Sequence, residues 1–369
     1  MRFCHALVIV AVASLGSCKC DRKSEPVKDA GTWWVGPLVQ RLQSPDEQVR
    51  KAALVELRKK GSLTAAEGVE LLRATTLRFP DGGSDTPTEL VRLVADEPRL
   101  EYLPLIKELF PRLDPSTRED ALELLSGLDD AEAAATYLRL VTEHATELTS
   151  LPARHLQHQP HHPNVFFPGL LALASHPALT DDVYLTALTF CEKGLLPSAA
   201  FVGHTAPLVA ASTAELDWLL PHQRPNGVGW IWEDEYQVHR ERASLLLDLF
   251  GYLPMDAVEP ELLRAQKFLD PRLVYFSVVS LLRQGREVPA TSLDAVAASP
   301  EMRNWLFGKL GDMGKAALFP KAFMTQESFA ESAMVAWLSY PTELGRPPDE
   351  IVLEKVVPAD THGDDGVLD

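Results

Sequence analysis

The sequence predicts an all-α protein, an α-solenoid in which helical hairpins stack one after another along a line. Three observations carry this expectation. Apolar residues recur at helical rather than alternating spacing through most of the chain. Strand signals, meaning β-branched runs closed by tight Asn-Gly or Asp-Gly turns, are nearly absent. Helix starts are marked by one recurring pair, a capping residue followed by proline: Ser44-Pro45, Asp114-Pro115, Asp270-Pro271 and Ser299-Pro300. The cap oxygen accepts an orphan backbone N–H, and a proline in the first turn sacrifices no bond because its N–H would have no partner. The spacing of these starts fits multiples of a unit of roughly thirty to forty residues, the period of a helical-hairpin array.

The first residues are of another kind. Met1 and Arg2 supply a positive start, and Ala6 to Leu15 is an almost unbroken apolar run. That run is shorter than the ~20 residues a spanning helix needs, and it has the layout of a secretory signal. Gly16 and Ser17 then lead straight into Cys18. Leu15-Gly16-Ser17-Cys18 resembles the lipobox of bacterial lipoproteins. The resemblance implies cleavage before Cys18, so that residues 1–17 are the signal peptide, and acyl chains such as palmitate on the Cys18 sulfur and new amino group. Two or more chains make attachment stable, at ~0.8 kcal/mol per buried methylene. The implied location is the cell envelope, with membrane attachment by lipid alone. Lys19 leaves the choice of inner or outer membrane open, and it also makes Cys20 a poor rival, because it sits where a small residue is required. The plainer alternative is an ordinary signal cut nearby, with Cys18 and Cys20 left as thiols.

Residues 18–32 are charged and small, without apolar period, and read as a tether. The helical repeat domain is expected over residues 33–345, with an acidic tail at 346–369. Leu38 to Gly61 is the clearest hairpin: a short helix, a Ser-Pro-Asp turn and a second helix with Val49, Ala53 and Leu57 on one face. Ser44 with Glu47, and Thr64 with Glu67, match the capping box. This unit resembles a HEAT repeat in its short form. Asp46 and Arg50 match the turn aspartate and helix arginine that in the family tie neighbouring repeats together. Asp270 to Gly285 aligns with Asp46 to Gly61 without gaps. There Leu273, Ser277 and Leu281 take the core places, and Val274 stands where the arginine should be, which interrupts the polar ladder.

Charge and cysteine content exclude several classes. The net charge is −17 and no basic cluster is present, so phosphate backbones and anionic headgroups are repelled and nucleic acid is not an expected partner. Of the 4 Cys, Cys4 lies in the signal and Cys18 in the lipobox. Cys20 and Cys191 remain, too few for a disulfide framework or a cysteine metal site. His-Glu-x-x-His, Gly-x-Ser-x-Gly, Walker A and Gly-x-Gly-x-x-Gly are all missing, so no cofactor is expected and the chain reads as non-catalytic.

Two stretches break the helical rhythm. The first is expected to be a long loop near residues 150–167, holding Pro152, Pro160, Pro163 and the cluster His155, His158, His161 and His162. Imidazoles ligate zinc, nickel or copper. A proline-broken loop costs ~1–2 kcal/mol per backbone residue ordered, however, and the nearest orienting carboxylates are Glu143 and Glu147 in another helix. Weak, opportunistic metal binding is the expectation. The second break, Pro221 to Trp232, brings Trp230 and Trp232 ahead of Glu233, Asp234 and Glu235. Loop tryptophans suit protein contacts, so Trp230, Trp232, Glu233 and Glu235 are candidate protein-binding residues, against core burial as the plainer outcome. Glu235 and His239 share a helix face as an acid–base pair would, although acidic residues also complement a helix N-terminus. Phe329 to Arg346 is expected to cap the end of the array, with a partner surface as the rival reading.

The resulting expectation is an envelope lipoprotein in which HEAT-like helical hairpins form a non-catalytic protein-binding or scaffold surface, one form of which neutralises an exported effector. The alternative is a metal-binding or metal-dependent envelope protein using the His155–His162 loop. Oligomeric state is not set by the sequence.

Overall fold

Short amphipathic helices separated by proline and glycine bury their apolar stripes only by packing on one another. In a computed structural model, residues 34–80, 85–226 and 229–339 are described. The segment that resembles a lipobox, with Cys18, the expected tether with Cys20, Trp33, and residues 340–369 with Tyr340, Glu343 and Arg346 lie outside the described residues.

Seventeen α-helices and no strand occur among the described residues, which makes the domain all-α. They are α1 (Val35–Leu42), α2 (Glu47–Lys59), α3 (Ala65–Ala74), α4 (Asp85–Ala95), α5 (Leu103–Leu109) and α6 (Pro115–Ser126). α7 (Ala131–His144), α8 (Arg154–His158), α9 (Pro163–Leu173), α10 (Thr180–Glu192), α11 (Thr205–Leu219) and α12 (Asp234–Phe250) follow. The last five are α13 (Met255–Ala265), α14 (Pro271–Arg283), α15 (Ala290–Ala298), α16 (Pro300–Asp312) and α17 (Gln326–Ser339). Each main contact between helices joins elements no more than two apart in chain order. α4, α6, α8, α10, α12, α14 and α16 touch in succession as one row, while α1 with α3, α3 with α5, α7 with α9, and α11 with α13 pack beside it. Buried apolar residues form one cluster running from Val35 to Leu281 and a second from Val274 to Phe319.

Local chemistry sets the helix ends. Asp114 and Asp270 each cap a helix with proline in its first turn, accepting from the N–H of Thr117 and Arg272. Ser299 occupies the same position at α16 without a side-chain bond. Thr64 and Glu67 form the expected capping box. The other expected box does not form. α2 starts at Glu47 with Asp46 as its cap, and Ser44 Oγ instead accepts from the Asp46 N–H. Four helices of 13 residues, α2, α10, α14 and α16, share one ending: a single cap residue, then Gly61, Gly194, Gly285 or Gly314 at positive φ. That left-handed residue turns the chain at a sharp angle and is costly for any side chain with a Cβ.

The paired segments 46–61 and 270–285 behave alike in the core. Ala53, Leu57, Leu273, Ser277 and Leu281 are all buried, and Val49 is half-buried. The family-like tie fares differently. Arg50 donates to the carbonyls of Ser44 and Pro45 in its own turn. At the second copy Val274 is buried, and Asp270 receives its arginine from Arg240 on α12. The polar link therefore persists at the position where the sequence suggested a break, supplied by the preceding hairpin.

The expected long loop at 150–167 contains α8 and the start of α9. Pro163 opens α9 rather than keeping the segment extended, since proline is well suited to a first helical turn. α8 is held by Glu123 of α6, whose carboxylate accepts from the backbone N–H groups of Arg154 and His155 at 3.0 and 2.9 Å. The segment is thus part of the helical row.

Candidate functional site

Three turns meet beside α8. The α4–α5 turn brings Asp96 and Pro98, the α6–α7 turn brings Gly127 and Asp129, and the end of α8 with the α8–α9 turn brings His158, Gln159, Pro160 and His161. With His155 they line a cavity of about 460 Å³. Gly127 is required here. A Cβ at this position would lie 2.6 Å from Pro98 Cγ and 3.0 Å from the His155 ring, so only glycine lets the imidazole rest on the backbone. Asp130 is committed as the cap of α7, bonded to the Ala133 N–H, and Asp129 before it, exposed, faces His162.

His161 Nε2 lies 2.9 Å from the carbonyl oxygen of Ser126. A carbonyl only accepts, so Nε2 carries the proton and Nδ1 presents a lone pair. That Nδ1 is buried and has no hydrogen-bond partner. Burial lowers the pKa of His161 from its ordinary value, outweighing the opposite effects of the Ser126 carbonyl and Asp129. His162 stands edge-on to His161, with Nε2 3.0 Å from Asp129 Oδ1. It is the one non-glycine residue with positive φ among the described residues, at 45°. Asp129, His161 and His162 each offer a ligand atom within 4.8 Å of the others. Of the remaining histidines, His158 is exposed, and His155 Nε2 is buried 3.8 Å from Glu123 Oε1.

Sequence reasoning found the histidines and missed Asp129, looking instead to Glu143 and Glu147. Those two are bound elsewhere, Glu143 to Arg139 and Glu147 to Arg118 and His144. The usable signal was the repeat period. Ser126 and His161 are 35 residues apart, and side-chain bonds joining neighbouring hairpins recur at 28 to 35 residues, as in Arg92–Asp120 and Arg283–Asp248.

The tryptophan segment divides into inward and outward parts. Trp230 is a core residue, 5% exposed and edge-on to Tyr236, so it is not available to a partner. Trp232 is half-buried beside the Arg240 guanidinium and lines a groove of about 400 Å³ with Met302, Trp305, Val335 and Ala336. The groove wall also carries Glu241, Arg272 and Glu301. Glu233 and Glu235 are exposed, and Glu233 pairs with Arg224 at 2.9 Å. His239 does not serve Glu235. Its Nδ1 meets Glu215 of α11 at 2.5 Å and its ring stacks on Trp218, whose neighbour at 3.9 Å is the ring of His222. At the end of the chain's described part α17 packs on α16, Glu331 pairs with Arg303, and Trp337 stays 69% exposed. α17 therefore covers α16 while presenting an aromatic residue of its own.

Beneath the groove, Arg240 is fully buried and joins three helices. It donates to both oxygens of Asp270, the α14 cap, at 2.8 and 3.0 Å, and to both oxygens of Glu301 in the first turn of α16 at 3.0 and 2.8 Å. Tyr236 donates a further bond to Asp270 at 3.2 Å. Burial would lower the Arg240 pKa, and the two carboxylates more than reverse that. Cys191 is buried in α10, and burial pushes its thiol up to about 12, which makes it an unreactive packing residue. No family model matches the chain, and neither curated proteins nor solved structures give a significant match, so its functional reading rests on these geometries.

Proposed function

We propose that this chain is a lipid-anchored envelope protein whose HEAT-like hairpins form an α-solenoid that binds a protein partner without catalysis. The observation that supports the reading is the contact pattern: the main helix–helix contacts join elements no more than two apart in chain order, as expected of an array that grows by stacking neighbours. Such an array presents long open surfaces, which suit a macromolecular partner better than a small substrate. The Trp232–Trp305 groove and exposed Trp337 are where a partner would find aromatic anchors. The anchor is Cys18, read from Leu15-Gly16-Ser17-Cys18.

Two measurements test the reading. A compact globule of this size has a radius of gyration of about 20 Å. Small-angle scattering from the protein should give a clearly larger value and an elongated distance distribution, and a globular profile sinks the solenoid. Labelling with a fatty acid in a bacterial host should mark the parent chain, while Cys18→Ser should carry no label and remain uncut. Label retained in Cys18→Ser removes the lipoprotein reading, and Cys20→Ser should behave as the parent.

A further inference from the structure

We propose that Asp129, His161 and His162 form a binding site for one divalent transition metal of the zinc class, a clamp between the α6–α7 and α8–α9 turns. This goes beyond the partner-binding reading and does not depend on it.

The donor set fits the chemistry. Two imidazoles and a carboxylate are ordinary zinc ligands, at metal distances of about 2.0–2.2 Å. In a tetrahedral site such ligand atoms lie about 3.4 Å apart. Here they already stand within 4.8 Å of one another, near the spacing an ion requires. The tautomer is prepared as well. A ligating histidine commonly gives its other ring N–H to a carbonyl or carboxylate, which fixes the ring and aims the lone pair. His161 does this to Ser126, and its buried Nδ1 has no other partner. A buried acceptor without a donor is costly, and an ion or an ordered water relieves that cost.

Geometry also supplies what a free histidine tract lacks. The two histidines sit at the start of α9, and α8 is bonded to Glu123 of α6 through its own backbone. The ordering cost that would weaken a flexible loop is therefore met by the fold before any ion arrives. His162 holds a left-handed conformation, at φ 45°, and its ring nitrogen stands 3.0 Å from Asp129. The Asp129 side chain is 82% exposed, which gives an ion a route from solvent and leaves room for a water as fourth ligand.

The test is zinc titration of the full-length chain in detergent, stripped of metal with a chelator. One equivalent should bind, with a rise in melting temperature that grows with free zinc. Asp129→Ala removes an exposed side chain and leaves the fold intact by circular dichroism. It should weaken binding by more than about tenfold, and His162→Ala by at least as much. His176→Ala, outside the cluster, should bind as the parent. Cobalt(II) used as the probe should give a visible spectrum that changes in Asp129→Ala. The proposal is overturned by binding well below one equivalent, or by parent-like affinity in Asp129→Ala and His162→Ala together. One equivalent lost only when His155 and His158 are changed to Ala would place the ion deeper in the cavity and overturn this ligand set.

Discussion

Glu67 shows how a single carboxylate can fasten two hairpins. It is buried at the start of α3 and is bonded by Lys60, Trp34 and the Thr64 N–H, with Lys60 also 3.9 Å above the Trp34 ring. Burial alone would raise its pKa, but these donors hold it down, from the ordinary 4.5 to about 2. The folded value lies below the unfolded one, so ionised Glu67 contributes stability in full above pH 4.5 and loses it as pH falls toward 2. Urea midpoints measured across that window should fall more steeply for the parent than for Glu67→Gln. Parallel curves would show that the carboxylate charge is not what stabilises this corner. Arg240 acts over a longer distance. Arg240→Ala leaves Asp270 buried without its cation, and should cost ~3–5 kcal/mol in chemical denaturation. Arg240→Lys should recover only part of that, because an ammonium cannot make two bidentate pairs at once.

Helix ends carry the element-scale pattern. Gly61 and Gly285 close the aligned hairpin helices at φ 78° and 74°, with open space where a Cβ would stand. The cost of a side chain there is conformational rather than steric crowding by neighbours. Gly285→Ala should lower stability by about 1–2 kcal/mol. Gly308 lies inside α16, also with open space around it, and Gly308→Ala should instead raise stability by about 0.5–1 kcal/mol. Thermal melts of the two single variants check both signs, and equal shifts would refute the helix-end account. A related element-scale effect appears at Ser44. Serine before proline reads as a cap, yet Asp46 two residues later takes that role, because either side chain can reach a free N–H and the core places of Ala53 and Leu57 select the register.

Across the whole molecule, coupling should follow the rows. Leu57 in α2 and Leu281 in α14 are both buried, and their helices share no main contact. Leu57→Ala and Leu281→Ala should each cost ~2–5 kcal/mol from the cavity left behind. Their effects should add in the double variant, as expected for distant sites. Hydrogen exchange should show α1 to α4 loosened by the first change and α12 to α16 by the second. If either substitution sped exchange equally across every helix, the chain would be one cooperative globule and the array reading would fail.

Composition and punctuation determined the all-α class, because period, caps and prolines act within one or two turns of chain. Asp114, Asp270, Thr64, Gly61 and Gly285 all sit where their local chemistry puts them. The cluster His155–His162 was visible for the same reason, as a run of imidazoles. Only the tertiary structure decided what lies across a hairpin. It paired Arg240 with Asp270 and Glu301, sent Trp230 into the core while Trp232 reached a groove, and set Asp129 against His162. It also folded the proline-rich stretch into α8 and α9, since Glu123 offers its backbone two acceptors that the local sequence does not contain. These partners stand one hairpin or more apart in the chain, 30 residues for Arg240 and Asp270 and 61 for Arg240 and Glu301. Their meeting depends on how successive hairpins stack, a distance over which local propensity carries no information.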